Sequence, residues 1–255
     1  MSPMKPNDDV HGEMRQKAIS RLAGFAKLSE GDVERLADIA GPPVVREKGS
    51  EIRSEDDSPA CLNLLLSGWA ASAFTLANGA RQLTSISLPG DILGLPTLAM
   101  AAPIDSVIAV TDVVTCNIPV DELAELFLSS PRLAFLMFLV SQEERSLAME
   151  KIALLGGTDA RTRMAAFFVR LQERHAQLCE EQPMTFFMPL TQTEIGDLVG
   201  ISAVHVNGLL KDLRTESVME ISKRELHIHD HRTLCEIAQV LPWERSEPGW
   251  LPEMK

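Results

Sequence analysis

Hydrophobic positions change period several times along the 255 residues. From Glu13 to Ile39, apolar residues (Ile19, Leu22, Phe25, Leu28, Val33, Leu36 and Ile39) recur at helical spacing, and Ser29 is placed to cap a short helix beginning near Glu30. Residues 1–12, with Pro3, Pro6, Asn7, Asp8 and Asp9, carry no such face and are expected to form a disordered tail. From Val44 to Ile118 the runs shorten. Leu62–Leu66, Trp69–Leu76, Gln82–Leu88 and Val107–Ile118 are separated by Ser67-Gly68, Asn78-Gly79 and Pro89-Gly90. Short β-prone runs at intervals of about eight to twelve residues predict a small barrel or roll. Asn78-Gly79 predicts a tight hairpin, because both residues tolerate positive φ.

Helical spacing returns after Pro119. Val120–Phe127 reads as a short helix, and Pro131 opens a longer one to about Leu155, since proline suits the first helical turn. Gly156-Gly157 marks its end. Leu133, Val140, Leu147 and Leu154 fall seven apart, the repeat of a seam against a partner helix, and predict a homodimer. Glu143, Glu144 and Glu150 interrupt it, so the coiled coil is partial. A helix packed on its own barrel would show a similar stripe, and the pattern leaves that alternative open. Thr158 to about Glu181 is helical again, with Met164, Phe167, Phe168 and Leu171 on one face; Gln182-Pro183 breaks it, and 184–189 is a short strand or loop.

Residues 190–214, LTQTEIGDLVGISAVHVNGLLKDLR, carry the most information. Gly196 is small where one helix must approach the next, and Gly200 can adopt the left-handed conformation of a tight turn. Ile195, Val199, Ile201, Val206 and Leu209 supply an apolar wedge, and Thr191 and Ser202 stand where N-caps belong. The pattern is that of a helix-turn-helix.

Composition alters this picture in two ways. The net charge of −12 argues against non-specific attraction to nucleic acid, so any DNA contact must come from a local surface. Even residues 187–238 hold only five Lys and Arg against eight Asp and Glu. The four cysteines, Cys61, Cys116, Cys179 and Cys235, lack metal or redox spacing and read as small reduced hydrophobes, so no metal is expected. Neither an apolar leader nor a run long enough to cross a bilayer is seen, and a cytoplasmic protein without a membrane partner is expected. Phosphate-cradling loops, nucleophile elbows and paired-histidine helices are likewise missing from the sequence, which predicts a non-enzyme.

The helix-turn-helix stretch resembles the DNA-binding end of the Crp/Fnr superfamily of bacterial regulators. The likeness extends through SVMEISKRELHIHD, similar to that family's wing, and through Leu88-Pro89-Gly90-Asp91-Ile92-Leu93-Gly94, similar to its barrel motif. Leu64–Gly68 resembles the preceding strand and turn, and Leu154–Arg161 the hinge. The resemblance implies an α+β fold: a β-roll or jelly-roll sensor barrel with leading helices (13–130), a dimerisation helix (131–156), a winged helix-turn-helix (157–239) and a C-terminal tail (240–255). It implies a homodimer on palindromic double-stranded DNA, with RNA polymerase as a further partner and an effector of unknown kind. By position, Ser202, Ala203, Val204, His205, Asn207, Gly208 and Lys211 would face DNA, with Gln192 and Thr193 near phosphate.

Departures from the family pattern are informative. Gly208 stands where relatives usually carry Arg. Leu95 follows Gly94 where cyclic-nucleotide binders place Glu, and Pro103-Ile104-Asp105-Ser106 offers no Arg for a phosphate. Cyclic AMP binding is therefore not expected, and no cofactor is. An iron–sulfur cluster does not fit a first stretch of 60 residues without cysteine. His11 and His175 leave haem open, though a lone histidine reads first as polar surface. The space between barrel and long helix could take a small apolar effector. The alternative function is a regulator that has lost much of its DNA affinity and works through another regulator or polymerase.

Overall fold

A computed structural model describes residues 12, 14, 19, 24, 28–54, 60–178 and 183–243. The tail 1–11, Leu22, Phe25, Cys179 and Trp250 lie outside them. The chain divides into two compact units, one built mainly of residues up to Glu143 and the other mainly of those from Glu144 onward.

In the first unit, helix α1 (Glu30–Ile39) starts at Ser29, whose hydroxyl accepts from the Asp32 backbone N–H at 3.1 Å while the Asp32 carboxylate accepts from that of Ser29. Eight strands follow: β1 (Pro43–Arg46), β2 (Glu51–Arg53), β3 (Cys61–Ser67), β4 (Ala70–Thr75), β5 (Arg81–Ser87), β6 (Ile92–Leu93), β7 (Ser106–Ala109) and β8 (Val113–Pro119). They form two four-stranded sheets, ordered β1-β8-β3-β6 and β2-β7-β4-β5. Strand β3 is buried without alternation from Leu62 to Leu66 because both its faces are covered. Leu62, Leu64 and Leu66 join the core that holds helices α2 (Val120–Ser129) and α3 (Pro131–Gly157), while Leu65 packs with Ile52, Ala70 and Val107. The expected run Val107–Ile118 proves to be two strands. Its break at 110–112 is a built corner, where Val110 donates to the Trp69 carbonyl and Trp69 N–H to Thr111 Oγ1. Gly68 faces this corner at φ +81°, and a side chain there would strike the Asp112 carbonyl.

The Asn78-Gly79 connection also differs from expectation. Only Gly79 has positive φ, and the loop closes through Leu76 N–H to the Ala80 carbonyl, with Asn78 Oδ1 accepting from Ala80 N–H. The asparagine therefore serves by a side-chain bond rather than by a left-handed backbone. In the Pro-Gly-Asp motif the buried Asp91 carboxylate accepts from Leu88 N–H at 2.7 Å, so the motif locks a turn.

Helix α3 corrects the first half of the expected seam. Leu133 and Val140 are buried in the first unit's own core, packed with residues such as Leu36 and Leu123, while Leu147 and Leu154 are half-buried. The first two positions of the sevenfold pattern thus face their own core, because a straight helix drifts by only about 20° per heptad and both faces repeat nearly alike. The large apolar residues exposed on α3 are Phe135, Phe138, Met149, Ile152 and Leu155.

The second unit contains α4 (Ala160–Ala176), capped by the Asp159 carboxylate accepting from Thr162 N–H at 2.8 Å. It ends short of the expected Glu181. Its Met164, Phe168 and Leu171 are buried as the pattern required, with Phe167 half-buried. Three further strands, β9 (Thr185–Phe187), β10 (Met219–Ser222) and β11 (Glu225–Ile228), make a sheet ordered β10-β11-β9. The two-stranded wing thus gains a third strand from 184–189, and α7 (His231–Ala238) closes the unit.

His175 is not simple polar surface. Its ring stacks on Phe186 with centroids 4.3 Å apart, and burial, aided by the Arg174 charge, pulls its pKa down to about 4. The unfolded chain, near the ordinary value of about 6.5, binds the proton more readily. The stability from this neutral stack is complete above that value and is lost as pH falls towards 4. Lowering the pH from 7 to 5 is expected to lower the melting temperature, and His175→Phe should reduce that pH dependence; equal dependence in both proteins would refute the assignment.

Candidate nucleic-acid interface

The helix-turn-helix consists of α5 (Gln192–Val199) and α6 (Ala203–Thr215). Helix α5 begins with a reciprocal cap: Thr191 Oγ1 accepts from Glu194 N–H at 3.2 Å, and Glu194 Oε2 accepts from Thr191 N–H at 2.6 Å. It ends at Gly200, whose φ of +75° needs no Cβ, and whose N–H donates to the Gly196 carbonyl at 2.8 Å. Ile201 N–H donates to the same carbonyl at 3.0 Å. Ser202 then caps α6, accepting from His205 N–H at 3.3 Å. Both N-caps read from the sequence are thus in place. A Cβ on Gly196 would lie 2.5 Å from the Ile201 carbonyl oxygen, so the turn closes only over glycine.

Packing decides which face of α6 is free. Val206, Leu209 and Leu213 are buried, and with Ile195, Leu198 and Val199 they anchor the pair. Ser202, Val204, His205, Asn207, Gly208 and Lys211 are exposed, and Ala203 is half-buried; Gln192 and Thr193 are exposed at the start of α5. The residues singled out for DNA therefore lie at the surface. Gln192 Nε2 donates to Asn207 Oδ1 at 3.1 Å, a pairing invisible in the sequence. A Cβ on Gly208 would meet nothing within 4 Å.

Two features of the wing and hinge escaped sequence reasoning. The β10–β11 turn is Lys223-Arg224, both exposed and both with positive φ, +50° and +63°. Such turns favour Asn-Gly, so no turn signal announced them. Together they place two cations at the tip of an otherwise acidic module. At the hinge, Arg161 makes a two-pronged pair with Glu216, just after α6, one prong being Nη1 to Oε1 at 2.8 Å. Hydrogen bonds from this guanidinium hold the Glu216 carboxyl below the usual range.

The barrel holds a buried cation that the motif reading missed. Arg53 donates through Nη2 to Thr97 Oγ1 at 2.7 Å and through Nη1 to the Cys61 carbonyl at 3.2 Å. Its guanidinium packs on Gly94 so closely that a side chain there would overlap it. Asp105 and Ser106 are buried. Among the described residues, no group of His, Cys, Asp and Glu could hold a metal, and no helix is long and apolar enough to cross a membrane.

Comparisons with known proteins agree with this layout. Residues 43–130 match the cyclic nucleotide-binding domain and residues 162–237 the Crp-like helix-turn-helix domain. The chain is 26% identical over 223 residues to the fumarate and nitrate reduction regulatory protein of Vibrio cholerae, covering 88% of this chain and 89% of that protein. It is 28% identical over 178 residues to the transcriptional activator FnrL of Cereibacter sphaeroides, covering 68% and 71%. FixK2 of Bradyrhizobium japonicum shares the fold with a TM-score of 0.70 at 21% identity, over 80% of this chain and 99% of that one. A CooA mutant from Carboxydothermus hydrogenoformans reaches 0.64 at 18% identity, over 86% and 95%. Barrel motif, hinge, helix-turn-helix and wing follow in one order, both domains match their family models, and the chain belongs to the Crp/Fnr superfamily of transcription regulators.

Proposed function

We propose that this regulator binds palindromic promoter sites as a homodimer and does so without cyclic AMP. The observation that carries the reading is the free face of α6, exposed from Ser202 to Lys211 on a rigidly capped helix pair. Helices of this kind lie in the major groove, and a two-fold dimer sets two of them about one helical turn apart. Phe135, Phe138, Met149 and Ile152 on α3, with gaps of 3, 11 and 3 residues, supply an apolar stripe suited to a second copy. Lys211 on α6 and the tip cations Lys223 and Arg224 suit phosphate.

Independence from cyclic AMP is supported inside the barrel. Leu95 follows Gly94, Asp105 stands near the expected phosphate position, and the space beside Gly94 is filled by the chain's own Arg53. Calorimetry with cyclic AMP is expected to show no heat at micromolar concentrations; saturable binding would overturn this part. An effector of another kind, or a protein signal such as polymerase contact, would act by changing the spacing of the two α6 helices.

The acidic module and Gly208 favour a second reading, a regulator of weak DNA affinity that works through another protein. A gel shift at stated salt separates the two. Gly208 sits in open space, so Gly208→Arg is tolerated sterically, recovers about 1 kcal/mol of helix propensity, and adds a guanidinium able to pair with guanine. It is expected to tighten binding to guanine-bearing sites by about fivefold or more. An unchanged shift would show that Gly208 does not limit affinity.

A further inference from the structure

The exposed side chains of α6 differ in chemistry along one face. Val204 is 83% exposed on the second residue of the helix, where a β-branched apolar side chain buries nothing in its own fold. Counting by helical spacing, Asn207, Gly208 and Lys211 follow it on one face at three, four and seven residues, while Val206, Leu209 and Leu213 turn inward. From its N-terminal end the face offers a pair of methyl groups, then a carboxamide, then bare backbone, then an ammonium.

These groups suit particular base edges. Methyl groups meet the C5-methyl of thymine, and a carboxamide pairs bidentately with adenine N6 and N7. The carboxamide is also held: Asn207 Oδ1 accepts from Gln192 Nε2 at 3.1 Å. That bond uses one of its two lone pairs, leaving the other for the adenine amino group and keeping the amide N–H free for N7. Guanine recognition usually calls for a bidentate Arg, and between Val204 and Gly208 there is none. Lys211 lies about two turns beyond Val204, while base contacts concentrate at the helix N-terminus.

We infer that the reading face of α6 selects A·T pairs in each half-site, Val204 by thymine methyl contact and Asn207 by adenine, with Gln192 positioning the Asn207 amide. The inference rests on the DNA-binding reading above and names its sequence class.

Selection from a random duplex library with the full chain, followed by affinity measurement on the recovered duplexes, tests it. The expected half-sites carry A·T at the two pairs whose preference changes with Val204→Ala and Asn207→Ala. Replacing thymine by uracil at the Val204 pair deletes only a methyl, and should weaken the natural protein about fourfold but leave Val204→Ala unaffected. Asn207→Ala should flatten the adenine preference, a discrimination of about fivefold or more. Gln192→Ala should loosen preference at the Asn207 pair and not at the Val204 pair, a pattern that general loss of affinity would not produce. G·C pairs at these positions, or indifference to uracil, would overturn the inference while leaving DNA binding intact. Failure to enrich any duplex would overturn both.

Discussion

Gly196→Val is expected to abolish sequence-specific DNA binding and to destabilise the second unit by about 3 kcal/mol. Even alanine would place its Cβ 2.5 Å from the Ile201 carbonyl oxygen, and valine adds two methyls to that overlap. The obstacle is backbone, which cannot swing aside as the end of a long side chain can. The Gly196 carbonyl also takes the N–H groups of Gly200 and Ile201, so moving it loosens the turn that aims α6. Gly156→Ala provides the control. Nothing lies within 4 Å of its Cβ position near the end of α3, and the change should be neutral or stabilising by up to about 1 kcal/mol. Thermal unfolding and a gel shift on both variants check the pair. A Gly196→Val protein that melts and binds like the parent would contradict the assigned geometry.

Arg170→Ala is expected to cost about 3 kcal/mol, because it strands two carboxylates around a charge centre that is largely shielded from water. Arg170 meets Glu150 through Nε at 2.7 Å and Nη2 at 2.6 Å, and Glu173 through Nη1 at 2.6 Å. Burial works against its charge, yet the hydrogen bonds it donates to both glutamates win, and its pKa stands above the ordinary arginine value. The same guanidinium donates to the Leu241 carbonyl at 3.0 Å and lies 5.2 Å from the Trp243 ring centre, while Trp243 N–H donates to Glu173 at 3.2 Å. One side chain thus joins α3, α4 and the segment after α7. A triple change, Arg170→Met with Glu150→Gln and Glu173→Gln, removes all three charges and should recover most of the loss. Thermal melts of the single and triple variants give the test; a single variant as stable as the parent would show that the cluster contributes nothing.

The ease with which each part could be read follows from how local its causes are. The helix-turn-helix stood out because Thr191, Gly196, Gly200 and Ser202 each answer a demand made within a few residues. The barrel strands showed as apolar runs, but the corner at 110–112 did not, since it is made by Trp69, far away in sequence. The first half of the seam on α3 does not hold for a physical reason: periodicity reports that a face is apolar, not what covers it, and Leu133 and Val140 are covered by their own barrel. Arg53 gave no motif signal, since its meaning depends on Gly94 and Thr97 arriving beside it. The Arg170 cluster collects residues from 150 to 243, and the Gln192–Asn207 pair spans two helices. Lys223-Arg224 violates turn preference outright.

The most direct measurement is a hydroxyl-radical footprint of the chain on duplexes recovered by selection, at a stated salt concentration. Paired copies of α6 lying in neighbouring major grooves should protect two patches on one face of the duplex, about 10 base pairs centre to centre, and Gly196→Val should erase them. A single patch, unpatterned protection along the duplex, or none at all would contradict a dimer that reads DNA with α6.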